Sequence, residues 1–361
     1  VTTTTVTHAT PAACYAHSPD RSWENDAALT AEARAAGFRD LARQLVELPN
    51  GDGIEVVLGG GRAHFLPKEV PDPERPELKG ARTDGRDLVE AWRKRFPAGV
   101  YAWNRAQLEA ADGASVRYLL GLFEFSHMQW ELDRAGDTAG EPSLAEMTAK
   151  ALGVLERAPA GYVLMVEGGR IDHGHHAGNA ARALGDAIAF SDAVRVALAR
   201  TDPDETLVVV TADHSHTLSI SGYPRRGNPI LGLVVGASGE AAAGSEPVKD
   251  ASGRPYATLS YANGPGYPGA SDAQPEGAKR FPHLPKAVQG VTGGRPDLVA
   301  LDPEDAGHLQ EAAVPLASET HGGEDVPVYA GGPGAALFHG VHEQSYFYHA
   351  IVEALGWSEA P

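Results

Sequence analysis

Cysteine and positive charge are both scarce in this sequence, and each shortage excludes a class of protein. The single cysteine, Cys14, lies in an Ala-rich stretch of the 361 residues, so no intrachain disulfide can form, and a small packed side chain is favoured over a reactive thiol. Lys and Arg number 30 against 48 Asp and Glu, and the formal net charge of −18 argues against a nucleic-acid-binding surface. An anionic ligand would need local cations, either metal ions or a well-placed Arg.

Long apolar runs and a leader segment are also missing. The longest apolar runs are pieces such as residues 230–237, far shorter than a bilayer span. The chain opens with Val1-Thr-Thr-Thr-Thr-Val6, a β-branched stretch that is typical of a strand inside a fold and unlike a signal peptide. We therefore expect the natural polypeptide to begin earlier, so the missing signal carries no information on location.

The sequence does contain alternating strand-like and helix-like stretches. Runs rich in Val, Ile, Leu, Thr or Tyr predict strands at residues 1–8, 54–58, 162–166, 206–211 and 326–330. Helices are predicted at residues 27–48, 143–157, 177–200 and 341–355. The alternation predicts a single α/β domain over residues 1–361, with a mainly parallel central sheet and helices on both faces. Residues 237–318, rich in Gly, Pro, Ala and Ser, predict an inserted loop-rich subdomain with a small sheet.

The strongest local motif follows the predicted strand 162–166 and runs from Glu167 to His176. It reads Glu167-Gly-Gly-Arg-Ile-Asp172-His-Gly-His-His176, at the strand end where α/β proteins collect ligands. If a helix starts near Asp172, then Asp172 and His176 lie on one face and suit zinc or a similar divalent ion. A His-rich surface turn capped by Asp172 is the alternative, and the motif alone leaves the two evenly matched.

Two further segments carry candidate ligands, a carboxylate–imidazole pair in one and a single His in the other. Asp213 and His214 follow the predicted strand 206–211, and His321 precedes the predicted strand 326–330. Each alone favours an ordinary helix cap or loop residue, but repeated accidents of this kind are improbable. Asp172, His176 and His321 would give one zinc three protein ligands and an open position, as in catalytic sites, whereas Asp213 and His214 would give a second metal only two.

The three motifs together resemble those of the alkaline phosphatase family in order, spacing and composition. Similar segments extend from the first residues to about Trp357 and include Gly59-Gly-Gly-Arg62, Trp103-Asn-Arg105 and Gly340-Val-His-Glu-Gln344. The resemblance implies hydrolysis of small-molecule phosphate monoesters by two Zn²⁺ and one Mg²⁺ through a phosphoseryl intermediate. It also implies a homodimer, a periplasmic, secreted or cell-surface location, and a crown-like role for the insertion 237–318.

Position by position, the resemblance implies roles for individual residues. The implied ligands are Asp172, His176 and His321 for the first zinc; Asp213 and His214 for the second zinc; Thr10 and Glu167 for magnesium; and Glu74, the Phe123 carbonyl, Glu124 and Glu141 for a possible Ca²⁺. His8, His173 and His216 would lie beside these ligands. Arg21 matches the arginine that clamps phosphate, because its guanidinium fork fits two phosphate oxygens. Without the neighbouring motifs, Arg21 would be interpreted as a solvated loop residue. For the residues implied for calcium, ordinary solvated surface carboxylates are an equal alternative.

One departure from the family pattern concerns the nucleophile. The family's nucleophilic Ser, and the Asp that bridges the second zinc and magnesium, lie upstream of the strand with which this chain begins. Ser271-Asp272-Ala273 has the expected order reversed, so no nucleophile is assigned, and the chain as given is expected to be an inactive, N-terminally incomplete domain. The alternatives are another metal-dependent phospho- or sulfo-hydrolase or mutase of the same superfamily, or an inactive metal- or phosphate-binding fragment. Arg21 in its motif favours the monoesterase.

Overall fold

The computed structural model describes residues 1–49, 51–112, 115–236 and 246–357. The chain divides into two compact units: Val1–Arg170 with Asp186–Arg200, and Ile171–Gly185 with Thr201–Pro361. The first part of the predicted insertion, residues 237–245, lies outside the described residues. The assignment of residues 237–318 to a crown-like subdomain within one domain stays a prediction.

The helices and strands are short, apart from two longer helices. The α-helices are α1 Ala9–Ala13, α2 Ala31–Ala35, α3 Leu41–Val46, α4 Arg62–Phe65, α5 Leu88–Arg95, α6 Arg105–Ala110, α7 Glu131–Arg134, α8 Leu144–Leu155, α9 Arg170–His176, α10 Ala180–Arg200 and α11 Tyr346–Ala354. The strands are β1 Val56–Gly59, β2 Val100–Ala102, β3 Leu119–Leu122, β4 Val208–Val210, β5 Ser215–His216, β6 Leu218–Ile220, β7 Leu259–Gly264, β8 Ala312–Pro315, β9 His321–Gly322 and β10 Tyr329–Gly331. Short 3₁₀ helices lie at Asp26–Ala28 and Ala335–Phe338. Among the described helices, none combines the length and the apolar character needed to cross a bilayer.

The first unit is built on a three-stranded parallel sheet in the order β1-β3-β2. Both outer strands run parallel to β3, with Val56 and Val100 each opposite Leu119. Parallel neighbours need crossover connections, and α5 and α6 supply helical crossovers between successive strands.

Alternate residues of this sheet face two separate apolar cores. On one side Leu58 and Leu119 pack with Met147 of α8, and on the other Leu120 packs with Trp92 of α5. Successive side chains of a strand point to opposite faces, so both faces of the sheet are buried under helices. The predicted α/β class, with a parallel sheet and helices on both faces, is confirmed.

Two of the predicted strands are wrong. Residues 1–8 form only isolated bridges at Thr2 and Thr5 before the chain turns into α1. Residues 162–166 join no ladder among the described residues, and the pairing there is a single bridge at Glu167. Val1 and Val6 of the first segment, and Tyr162, Leu164 and Val166 of the second, pack against the sheet's cores, so both segments have the composition of a strand without its pairing.

In the first unit two of the described strands were missed, and one predicted helix is broken. Strands β2 and β3 were not predicted, because the uniformly buried run Leu119–Leu122 shows no alternation. Residues 27–48 form the separate helices α2 and α3 rather than one helix. Gly37, at φ +81°, adopts the left-handed conformation that ends a helix, and the Asp40 side chain accepts the Arg43 N–H to begin the next.

The described residues of the second unit form three small sheets. Strand β7, within the predicted insertion, pairs antiparallel with β6 and parallel with β8, and its Leu259 and Tyr261 side chains are buried. Strands β4 and β10 form an antiparallel pair, as do the two-residue strands β5 and β9. The β5–β9 pair positions the histidines described next.

Candidate metal centre

Helix α9 presents a carboxylate and an imidazole one helical turn apart. Asp172 and His176 are separated by four residues and therefore lie on the same side of the helix. Asp172 Oδ1 is 3.3 Å from His176 Nε2. The structure therefore has the juxtaposition that the spacing of these residues indicates.

The short strands β5 and β9 bring two more histidines to the same carboxylate. Their pairing places His216 directly opposite His321. His321 Nε2 lies 3.4 Å from Asp172 Oδ1 and 3.2 Å from His176 Nε2. His216 Nε2 lies 3.0 Å from Asp172 Oδ1. Groups from three separate stretches of the chain thus meet at one oxygen atom.

The donor atoms of Asp172, His176 and His321 form a nearly equilateral triangle. Its sides are 3.2, 3.3 and 3.4 Å. A regular tetrahedron with edges of this length has its centre about 2.0 Å from each corner, which matches the usual Zn–N and Zn–O distances. Two imidazole nitrogens and a carboxylate oxygen are also the donor set that zinc favours, with the fourth corner open. These residues fit a catalytic type of zinc site.

Two polar atoms at the centre of this group have no well-formed hydrogen bond among the described residues. They are Asp172 Oδ1 and His216 Nε2, and both atoms are buried. Burial opposes ionisation of Asp172, but the imidazoles of His176 and His216 hold its pKa well below the usual range. A buried oxygen of a carboxylate that stays ionised is suited to a cation.

Asp213 and His214, the residues implied for a second zinc, adjoin this triangle. The His214 ring stacks on His321 with 3.5 Å between ring centroids, and His214 Nε2 lies 3.9 Å from Asp172 Oδ1. Asp213 Oδ2 is 3.3 Å from His214 Nε2, and the carboxylate is mostly exposed. The structure therefore brings the pair together, but with two donors only, and its metal role stays a prediction.

Two neighbouring residues, His216 and Glu319, contact the residues of the triangle. Burial lowers the pKa of His216, but contacts with Asp172 and Glu319 outweigh it and raise the pKa to about 9. Sequence reasoning gave Glu319 no role, although it stands only two residues before His321. His173 lies on the other side of the Asp172 carboxylate, with Nε2 4.0 Å from Oδ2.

The residues implied for magnesium and phosphate lie in the first unit. The Glu167 carboxylate accepts hydrogen bonds from the hydroxyls of Thr2 and Thr4. Thr10 is exposed in α1, and no hydrogen bond joins it to Glu167 among the described residues. Their pairing around magnesium stays a prediction.

Arg21, the implied phosphate clamp, is exposed and lies beside a histidine. Its Nη2 is 3.2 Å from His8 Nε2, and His8 Nδ1 is 3.6 Å from the Glu24 carboxylate. If Arg21 donates to Nε2, then His8 carries its proton on Nδ1 and directs it at Glu24. The exposed guanidinium keeps donors free for an anion.

Two of the residues implied for calcium lie together in the first unit, beside a third carboxylate. Carboxylate oxygens of Glu74, Glu124 and Asp137 lie within 4.8 Å of one another. Glu141, implied for the same ion, accepts the Gln129 N–H on both oxygens, and burial, reinforced by the neighbouring carboxylates, raises its pKa to about 8. The sequence prediction did not include Asp137, which lies closer than Glu141 to Glu124 along the chain. The calcium role of all these residues stays a prediction.

Phe123, whose carbonyl was implied for the same calcium group, directly follows β3. Its side chain is buried in the core between β1 and α8, and its N–H donates to the Gly59 carbonyl. The backbone at this position is therefore fixed by the sheet, immediately before Glu124.

Comparison with known proteins identifies the family. The sequence model of the alkaline phosphatase family matches residues 1–357. The chain is 46% identical over 360 residues to the tissue-nonspecific isozyme of alkaline phosphatase from Gallus gallus, covering 98% of this chain and 62% of the relative. It is 44% identical over 359 residues to the alkaline phosphatase of Gadus morhua, covering 98% and 68%. The chain thus spans slightly less than two thirds of the Gallus gallus protein.

One solved structure shares the fold over nearly the whole chain. The alkaline phosphatase from the Antarctic bacterium TAB5 aligns with a TM-score of 0.54 over 99% of this chain and 72% of its own, at 19% identity. At that identity the similarity supports the fold alone. The match to the family model and the two animal relatives carry the assignment: the chain belongs to the alkaline phosphatase family.

Proposed function

We propose that this chain carries the metal-binding and phosphate-binding groups of an enzyme that hydrolyses phosphate monoesters. The triangle of Asp172, His176 and His321 donors supports this most strongly, because its edges suit Zn²⁺ and leave one position open. Asp213 and His214 would contribute to a second zinc site, and Thr10 and Glu167 to a Mg²⁺ site.

Each implied residue has a task in such a site. Divalent ions bound there would supply Lewis-acid polarisation of a phosphoryl oxygen and a lowered pKa for the attacking oxygen. Arg21 would grip two phosphate oxygens through its guanidinium fork, and the contact with His8 would limit its rotation. The guanidinium would supply the local positive charge that a chain of net charge −18 needs in order to bind an anion.

Further properties follow from membership of the family and are part of the same proposal. The substrates would be small phosphate monoesters, hydrolysed through a phosphoseryl intermediate. The enzyme would act as a homodimer in the periplasm, at the cell surface or in secreted form. The carboxylates of Glu74, Glu124 and Asp137 would hold Ca²⁺ with the Phe123 carbonyl.

Binding and turnover experiments separate the parts of this proposal. The 361-residue chain should bind zinc, and inorganic phosphate should bind only after zinc is added. Arg21→Ala should weaken phosphate binding, whereas Arg93→Ala, which removes an exposed arginine paired with Glu90, should not. Zinc-independent phosphate binding, or binding insensitive to Arg21→Ala, would contradict the assignment.

Hydrolysis is best measured on a longer polypeptide that adds the part of the Gallus gallus relative that this chain does not span. That polypeptide should hydrolyse p-nitrophenyl phosphate, lose the activity on chelation, and hydrolyse bis-p-nitrophenyl phosphate far more slowly. Faster turnover of the diester would favour a phosphodiesterase of the same superfamily. Full monoester turnover after exhaustive chelation would exclude the metal-dependent scheme.

A further inference from the structure

Glu319 is a buried carboxylate that contacts the candidate metal centre without facing its open position. Its side chain has no exposed surface. The Thr217 N–H and hydroxyl donate to Oε1 at 2.6 and 2.7 Å, and His216 Nδ1 lies 2.7 Å from Oε2. Because both oxygens already accept hydrogen bonds, the carboxylate is poorly placed to become a metal ligand itself.

The backbone of the same residue holds a second imidazole. The Glu319 N–H donates to the His176 carbonyl at 3.0 Å, and His176 Nδ1 lies 2.6 Å from the Glu319 carbonyl oxygen. A carbonyl oxygen can only accept, so His176 carries a proton on Nδ1. Its Nε2 is then free, and this is the atom at the corner of the triangle with Asp172 and His321.

The side chain imposes the same arrangement on His216. A carboxylate ionised between three donors can only accept, so His216 also carries a proton on Nδ1. Its Nε2 points at Asp172 Oδ1, 3.0 Å away. One residue, two positions before His321, thus orients two of the imidazoles that surround Asp172.

We propose that Glu319 is a positioning residue of the metal centre. Through its carboxylate it sets the ring orientation of His216 and keeps a proton on His216 Nδ1, and through its backbone carbonyl it does the same for His176. The inference rests on the proposed zinc site. Hydrogen-bond partners of this kind change metal affinity by about 10- to 100-fold when they are replaced.

Glu319→Gln is the most informative variant, because it keeps the size of the side chain and reverses the direction of its hydrogen bond with His216. Both Thr217 donors point at Oε1, so the glutamine oxygen would take that place and leave its NH₂ facing His216 Nδ1. His216 must then accept at Nδ1 and carry its proton on Nε2. The contact with His176 runs through the backbone and should survive. Glu311→Gln is the matched control, since this partly buried carboxylate of the same unit pairs with Arg295.

The readouts are zinc affinity by chelator competition and the ring ¹⁵N shifts of His216. We expect Glu319→Gln to lower zinc affinity by about 10- to 100-fold, to remove the proton from His216 Nδ1 while Nε2 stays protonated, and to leave His176 unchanged. Glu311→Gln should match the wild type in both measurements. Unchanged zinc affinity together with a His216 still protonated on Nδ1 in Glu319→Gln would overturn the proposal.

The wild-type chain keeps the inference testable even if Glu319→Gln does not fold. With zinc bound, a wild-type His216 protonated on Nδ1 supports the role of Glu319, and one protonated only on Nε2 refutes it. A wild-type chain that binds no zinc would instead overturn the proposed function, so the two failures are distinguishable.

Discussion

Replacing His321 with alanine removes one corner of the donor triangle and leaves the pair on α9 in place. The three edges put a bound zinc about 2.0 Å from each donor, with two imidazoles among its ligands. At a zinc concentration 100 times the dissociation constant, binding stabilises the folded state by about 2.7 kcal/mol. If the variant binds 100-fold more weakly, the same concentration equals its dissociation constant and stabilises it by only about 0.4 kcal/mol.

Thermal unfolding with and without zinc measures this difference. A stabilisation of about 2.7 kcal/mol corresponds to a Tm increase of roughly 5–10 °C for a unit of this size, and His321→Ala should lose nearly all of it. X-ray absorption of the zinc-loaded chain should show a shell at about 2.0 Å with two imidazoles, falling to one in the variant. His342→Ala, which removes an exposed imidazole stacked on Tyr346, should keep both signals. An undiminished Tm shift in His321→Ala would refute the reasoning.

Three further predictions concern the first unit. Burial raises the pKa of Asp186 to about 7. Between about pH 4 and pH 7 the folded state therefore holds a proton that the unfolded chain has released, so the free energy of unfolding falls as the pH rises. Asp186→Asn should remove that pH dependence and should be more stable than the wild type at pH 8 by up to about 4 kcal/mol. Denaturant titrations of both proteins at pH 5 and pH 8 measure this, and an equal change in unfolding free energy between the two pH values would contradict the raised pKa of Asp186. Arg82→Met should cost about 3–5 kcal/mol in the same assay, because it leaves the buried Asp40 carboxylate without its bidentate partner, and a loss below 1 kcal/mol would contradict this. Ca²⁺ should raise the Tm of the wild type and of Glu141→Gln but not that of Asp137→Asn. A Tm rise that is kept in Asp137→Asn and lost in Glu141→Gln would favour Glu141 as the ligand.

The sequence revealed the fold class more readily than it revealed the individual strands. Strand β1 is predicted because Val56–Gly59 is β-branched and lies next to turn residues. The central strand Leu119–Leu122 is equally buried, but four leucine-rich residues without alternation cannot be distinguished from part of a buried helix. Residues 162–166 show the opposite failure: they have strand composition because they pack on the core, yet they join no strand ladder in the described parts of the chain.

Within the candidate site, the predictable contacts are the local ones. Asp172 and His176 could be paired from sequence because helical geometry fixes residues four apart. The contact between His216 and Glu319 spans 103 residues of sequence and depends on the β5–β9 pairing, which no local pattern determines. The same limitation applies to the carboxylates near Glu124, because whether Asp137 or Glu141 lies closer to it in space depends on the path of a loop.

The arrangement around Asp172 also bears on whether these residues were placed for stability or for binding. A buried acceptor left without a hydrogen bond costs about 1–3 kcal/mol, and Asp172 Oδ1 is such an atom within the described residues. Four imidazole nitrogens stand within 3.9 Å of it, and their rings pack against one another, which excludes water from the oxygen. A core selected for stability would replace these groups with apolar side chains. A cation at the triangle removes the penalty and adds its own binding energy, so metal binding and the folding of this unit should be coupled.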